Sequence, residues 1–165
     1  MNHCYTNKTG LMALSFRERI IMKYYYDDHI LTWPDHFVIC DEDGNQVFEV
    51  SCKLSIGHVM TISSSEGKRV LSDTISSWLP AFKISEEDKE IGVMKRVFSL
   101  RFEKYDFLFH GLYVRGDFLD SNYDIMKAGQ CVGHYEVVNN RIIINTDDLD
   151  VITFVLGIEA LKSLR

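Results

Sequence analysis

The chain has 165 residues, enough for one domain that holds its core without help from a disulfide or a metal. A composition of 46% hydrophobic and 25% charged residues excludes a disordered, collagen-like or membrane-helical protein. The net charge of −6 argues against nucleic acid as a partner, because such binders gain affinity by neutralising phosphates.

Residues 1–16 are mixed and aperiodic and read as a loosely held tail, with a single domain over 17–165. The start carries no apolar run behind a basic leader, so no secretory signal is expected, and the cytoplasm is the expected location. From Arg19 the chain turns β-rich, with Ile20-Ile21-Met22 and Tyr24-Tyr25-Tyr26 in short succession. A helix from Leu14 to Tyr25 is the alternative, since Leu14, Ile21 and Tyr25 share a helical face.

A repeated pattern follows. Phe37–Cys40 runs into Asp41-Glu42-Asp43-Gly44-Asn45 and returns as Val47–Val50. Met60–Ile62 returns as Val70-Leu71, Phe82–Ile84 as Ile91–Val93, and Tyr123–Ile125 as Val132, each around a polar turn. These are β-hairpins, whose turns want Gly, Asn and Asp because those residues tolerate positive φ. Further strands are expected at Ser99–Phe102, Asp106–Phe109, Leu112–Val114 and Arg141–Asn145. Ten or more antiparallel strands predict a barrel or a sandwich.

The last twenty residues break the pattern. Asp147, Asp148 and Asp150 suit a helix N-terminus. Val151, Ile152, Phe154, Val155, Leu156, Ile158, Ala160, Leu161 and Leu164 then cover nearly the whole circumference of a helix. A helix apolar on every side is either in a membrane or enclosed by protein. Val151–Leu161 falls short of the roughly 20 residues a bilayer needs, so enclosure is predicted.

Phe37-x-Ile39-x-Asp41-Glu42-Asp43-Gly44-Asn45-x-Val47-Phe48-x-Val50, with Lys53 and Ser55-x-Gly57, resembles the LURP-one-related family. The likeness continues through Ile91–Arg96, Val114–Phe118, Tyr123-x-Ile125 and Val132-Gly133 to the Asp147-Asp148-x-Asp150 lead into the helix. That family belongs to the tubby C-terminal-like superfamily, together with the phospholipid scramblases. The resemblance implies a closed antiparallel barrel of about twelve strands around a central hydrophobic C-terminal helix. It transfers no functional residue, and the chain departs from it in the short stretch after Gly133.

Candidate sites are few. Asp41–Asn45 lacks the EF-hand spacing and reads as a turn. Glu86, Glu87, Asp88 and Glu90 share one solvated loop and cannot separate their pKa values as acid–base pairs must. The six histidines occur singly, and no nucleophile elbow or P-loop is present. The four cysteines show no zinc spacing and read as free thiols. No catalytic residue, metal or cofactor is therefore expected. Trp33 and Trp78 either plug the barrel ends or form an exposed aromatic site.

The positive charge gathers at Lys95, Arg96, Arg101 and Lys104, with Arg115 further on. Two readings stand open for it: a seat for an anionic lipid head group, or a solvated charged strand face. The function expected is a non-enzymatic binding or scaffold module for an anionic membrane or a protein partner. The alternative is a barrel that takes a small apolar ligand beside the central helix.

Overall fold

The computed structural model describes residues 21–74 and 78–165. Residues 1–16 and the start of the alternative helix at Leu14 lie outside the described residues. Tyr24–Tyr26 form strand, not helix. The described residues form twelve strands: β1 (Met22–Asp27), β2 (Asp35–Cys40), β3 (Gln46–Ser55), β4 (Gly57–Ser64), β5 (Gly67–Asp73), β6 (Ala81–Glu86), β7 (Lys89–Val97), β8 (Lys104–Phe109), β9 (Leu112–Arg115), β10 (Asn122–Lys127), β11 (Gln130–Val138) and β12 (Arg141–Thr146). One helix, α1 (Leu149–Ser163), follows them.

All twelve strands belong to one antiparallel sheet, ordered β8-β7-β6-β5-β4-β3-β2-β1-β12-β11-β10-β9. The sheet curls until its first and last members approach, so the fold is a nearly closed barrel. No ladder joins β8 to β9. There Phe118, beyond β9, packs edge-on against Tyr105 and Phe107 of β8, with ring centroids 4.8 and 5.6 Å apart. Side-chain packing closes the seam where backbone pairing does not.

The expected hairpins are present as β2–β3, β4–β5, β6–β7 and β10–β11. The strand expected at Ser99–Phe102 is not: these residues form the loop between β7 and β8. Their alternating pattern has no neighbouring strand to pair with, and without a ladder the backbone stays irregular.

Each strand turns alternate residues inward, as the period of two requires. Phe48, Val50 and Cys52 of β3, Met60 and Ile62 of β4, and Ile142 and Ile144 of β12 are buried. They meet α1, in which Val151, Ile152 and every residue from Phe154 to Ile158 are buried, with Ala160 and Leu161. Asp148 caps the helix by accepting from the Asp150 backbone N–H at 2.9 Å. Fifteen helical residues span about 22 Å, close to the roughly 20 Å of a six-residue strand, so α1 fills the barrel along its length. Two glycines permit the fit. A Cβ at Gly133 of β11 would stand 2.6 Å from Val151 Cγ1, and one at Gly157 of α1 would overlap Met94 Sδ.

Cys40 and Cys52 are free thiols, and burial pushes Cys52 up to about 12. Cys131 is disulfide-bonded, which corrects the expectation of four free thiols; Cys4 lies outside the described residues.

Candidate functional site

Because the strands alternate in direction, their connections fall at two ends. The end where α1 begins carries the turns at 41–45, 65–66, 87–88, 110–111, 128–129 and 147–148. Four of these six turns carry acids; 110–111 and 128–129 do not. Asp41 is spent on its own loop: its Oδ1 accepts from the N–H groups of Asn45 and Asp43, at 2.9 and 3.0 Å, beside Gly44 at φ +82°. Those bonds, the Asn45 N–H foremost, hold its carboxyl below the usual range. Among the described residues no cluster of His, Cys, Asp or Glu is placed to hold a metal ion.

Arg69 of β5 anchors the helix start at this end. It reaches Asp150 at 2.7 Å, Thr153 at 3.1 Å and Glu86 at 3.2 Å. His110 Nδ1 lies 2.6 Å from the other Asp150 oxygen. Burial on its own would raise the Asp150 carboxyl, but the bonds from His110 and Arg69 outweigh it and hold the group below its ordinary value. The other described histidines also face carboxylates: His29 meets Asp35, His36 meets Glu49, His58 meets Asp73, and His134 meets Asp124, all within 3.0 Å. His29 and Asp35 are six residues apart, and the other three pairs are ten or more apart in sequence.

The opposite end is different in kind. Its connections run over 28–34, 56, 74–80, 98–103, 116–121 and 139–140. Among the described residues, the six most exposed large apolar side chains all belong to it: Ile30, Ile56, Trp78, Phe98, Leu100 and Phe102. In the loop after β7, Phe98 is 74%, Leu100 89% and Phe102 68% exposed, and Trp78 is entirely exposed. Trp33, in contrast, folds over the barrel mouth. Its Nε1–H donates to Ser163 Oγ at 3.0 Å, and its ring stacks on Phe82. One tryptophan plugs the barrel while the other stands in solvent.

All five basic candidates sit at this same end, but they do not act alike. Arg96 pairs with Glu103 at 3.4 Å, and Arg115 pairs with Asp124 at 2.6 Å. Lys95 precedes Arg96 on β7, while Arg101 and Lys104 are exposed in and just after the Phe98–Phe102 loop. Among the described residues no ion pair holds these three. The β3–β4, β5–β6 and β7–β8 connections are successive around the rim, so Lys53, Leu54, Ile56, Trp78 and the β7–β8 loop form one apolar and basic arc.

A cavity of about 440 Å³ opens beside this arc, at the C-terminal end of α1. Asp28, Ile30, Tyr135, Glu159, Lys162 and Arg165 are among the residues that line it. Lys162 Nζ is 3.0 Å from Glu159 and lies over the Tyr135 ring at 5.8 Å. Burial, with Glu159 beside it, pushes the Tyr135 hydroxyl well above its usual range. The cavity is a mouth of mixed polarity and not an apolar chamber in the lumen, which Phe154, Leu156, Ile158 and Leu161 occupy.

A family model described as LURP-one-related matches residues 22–153, from the first strand into the enclosed helix. The chain belongs to the LURP-one-related family. No curated protein and no solved structure matches it. The LURP-one-related match spans the strands that carry both ends of the barrel, so the family resemblance and the observed fold agree. No helix among the described residues is long and apolar enough to cross a membrane.

Proposed function

We propose that this LURP-one-related domain is a non-catalytic module that docks on anionic lipid surfaces through the apolar and basic end of its barrel. The carrying observation is the placement of the six most exposed apolar side chains on one set of connections, with Lys53, Lys95, Arg101 and Lys104 among them. Contiguous exposed apolar surface is costly in water and marks a docking site. Cations interleaved with aromatic and aliphatic tips suit the boundary between head groups and acyl chains.

The magnitudes support reversible attachment. Burying Phe98, Leu100 and Phe102 contributes about 1.5–3 kcal/mol each at full depth. Each lysine or arginine near an anionic leaflet adds about 1 kcal/mol. After ordering costs the balance falls in the micromolar to millimolar range. The acidic end does not cancel the attraction, although the chain is at −6 overall. It lies about 20 Å away by strand length, more than two Debye lengths of roughly 8 Å.

Co-sedimentation with phosphatidylcholine vesicles, with and without phosphatidylglycerol, at low and physiological salt tests this. Binding should need the anionic lipid and weaken with salt. It should fall at least tenfold in a Phe98→Ser, Leu100→Ser, Phe102→Ser variant and in a Lys95→Ala, Arg101→Ala, Lys104→Ala variant. Binding at neither salt, or binding indifferent to both variants, overturns the proposal and favours a protein partner for this face.

A further inference from the structure

Among the described residues, three histidines belong to the apolar end of the barrel. His29 lies in the 28–34 connection, His36 is the second residue of β2, and His58 the second of β4. His110 and His134 lie elsewhere, one beside Asp150 at the start of α1 and one in the buried pair with Asp124.

His29 is held from two sides. Its Nδ1 is 2.9 Å from the Asp27 carbonyl oxygen, and its Nε2 is 2.9 Å from Asp35 Oδ2. Both neighbours are acceptors. A neutral imidazole has one N–H and serves only one of them, whereas the imidazolium donates to both. Burial by itself would lower the ring's pKa, but the bonds to Asp27 and Asp35 outweigh it and hold His29 above its ordinary value. Asp27 ends β1 and Asp35 begins β2, so the charged ring clasps the whole connection between them. Asp35 also accepts from the Thr32 backbone N–H at 3.3 Å. That connection carries Ile30 on the exposed arc and Trp33 over the barrel mouth.

His58 extends the cluster. Its Nδ1 lies 3.0 Å from Asp73 Oδ2, and its ring meets Trp33 edge-on with centroids 4.9 Å apart. It follows Ile56-Gly57, whose isoleucine is another exposed tip. On β3 its register partner is Leu54, with Lys53 one position away. His36 is more exposed, and its carboxylate, Glu49 at 2.8 Å, lies in the middle of β3. The fixed charges near these rings almost cancel. His29 shares its cavity with Asp28 and with the paired Glu159 and Lys162, while Arg165 is taken up by Glu103. Around the arc, Lys53, Lys95, Arg96, Arg101 and Lys104 stand against Asp35, Asp73, Glu103 and Asp106. With so small a surplus, one or two protons decide how strongly an anionic surface attracts this end.

We infer that protonation of His29 and His58 strengthens docking of this end on anionic membranes, so that attachment is set by pH between about 7.5 and 5.5. The inference rests on the membrane reading of the arc. Two effects act in one direction. The proton on His29 completes its second bond and firms the connection that presents Ile30. Each proton also offsets a carboxylate at the rim, and one unit of charge near an anionic leaflet is worth about fivefold in affinity. The bound state favours the charged rings, so affinity is greatest below the raised His29 value and declines as pH rises through it.

Co-sedimentation with vesicles of phosphatidylcholine and phosphatidylglycerol, whose charges do not change in this range, measures the effect. Binding should be roughly tenfold tighter at about pH 5.5 than at about pH 7.5. His29→Gln and His58→Gln should each lower that ratio about threefold, and the double variant should flatten it. His110→Gln, at the other end, should leave it unchanged. Equal affinity at both pH values, or a pH response that survives in the double variant, overturns the inference and leaves membrane docking standing. Failure to bind at either pH overturns the docking reading, and this regulation falls with it. Ring NMR of the protein without lipid gives an independent check. His29 should keep its second proton above the ordinary histidine value of about 6.5, and a lower titration point removes the clasp. Thermal melting of each variant at both pH values separates loss of the response from loss of the fold.

Discussion

Gly133→Ala tests how tightly the barrel grips its helix. Gly133 sits on β11 opposite Ile125 and Thr146, with no left-handed φ to favour glycine. In a strand that needed nothing from it, alanine would gain about 0.5–1 kcal/mol. Here the new Cβ meets Val151 Cγ1 at 2.6 Å, with Val151 Cγ2 and Ile125 Cδ1 both at 3.3 Å. Val151 is wholly buried on α1, and a helical valine has essentially one χ1 rotamer, so it cannot turn aside. Overpacking of this kind costs about 1–3 kcal/mol. The clash exceeds the gain, and a net loss of about 1–2 kcal/mol is expected, lowering Tm by about 3–6 °C for a domain of this size. Val151→Ala alone leaves a cavity and costs about 1.5–3 kcal/mol. In the double variant the methyl group added on β11 enters the space the valine leaves, so the two losses should fall short of their sum by at least about 1 kcal/mol. Equilibrium denaturant unfolding followed by circular dichroism supplies all four corners of the cycle. A Gly133→Ala protein as stable as the parent, or losses additive to within about 0.5 kcal/mol, would refute the close contact between β11 and α1.

Two other outcomes follow from the ionisable groups. Asp150 has a folded pKa held below its unfolded value, so its contribution is complete above the ordinary carboxylate range and is lost as pH falls through the folded value. Asp150→Asn should therefore cost about 1.5–3 kcal/mol at pH 7, and the gap to the parent should close in acid; a gap independent of pH would show that the Arg69 and His110 bonds are not its source. Cys52 is buried with its pKa pushed up to about 12, so at pH 8 a water-soluble thiol reagent should label half-buried Cys40 first and reach Cys52 only on unfolding. Equal labelling rates in the native state would contradict the inward placement of Cys52.

The hairpins and the helix were legible because each is a local matter. A turn at Asp41–Asn45 needs residues that tolerate its backbone, and the chain supplies Gly44 and Asn45 within six residues of both strands. The enclosed helix showed itself as an apolar surface with no polar stripe, which only a surrounding wall can satisfy. The same local signal misled at Ser99–Phe102. Alternation marks a strand only when a neighbour accepts its hydrogen bonds, and the neighbour is chosen by the whole sheet.

The polarity of the barrel lay half visible in the connections. Polar turns and connections bearing Ile30, Ile56, Trp78, Phe98, Leu100 and Phe102 alternate along the chain, and antiparallel pairing sends every second connection to the same end. Periodicity and turn chemistry are properties of neighbouring residues, so the chain alone was enough for the hairpins, the threaded helix and the basic run from Lys95 to Lys104. Long-range pairing is not such a property. That Arg96 is taken up by Glu103 and Arg115 by Asp124, that Trp33 closes the mouth while Trp78 stands free, and that Asp28 and Lys162 line one cavity all depend on which strands meet. Those meetings come from closing the sheet around the helix, a choice made by burial over the whole molecule and not by any short stretch of it.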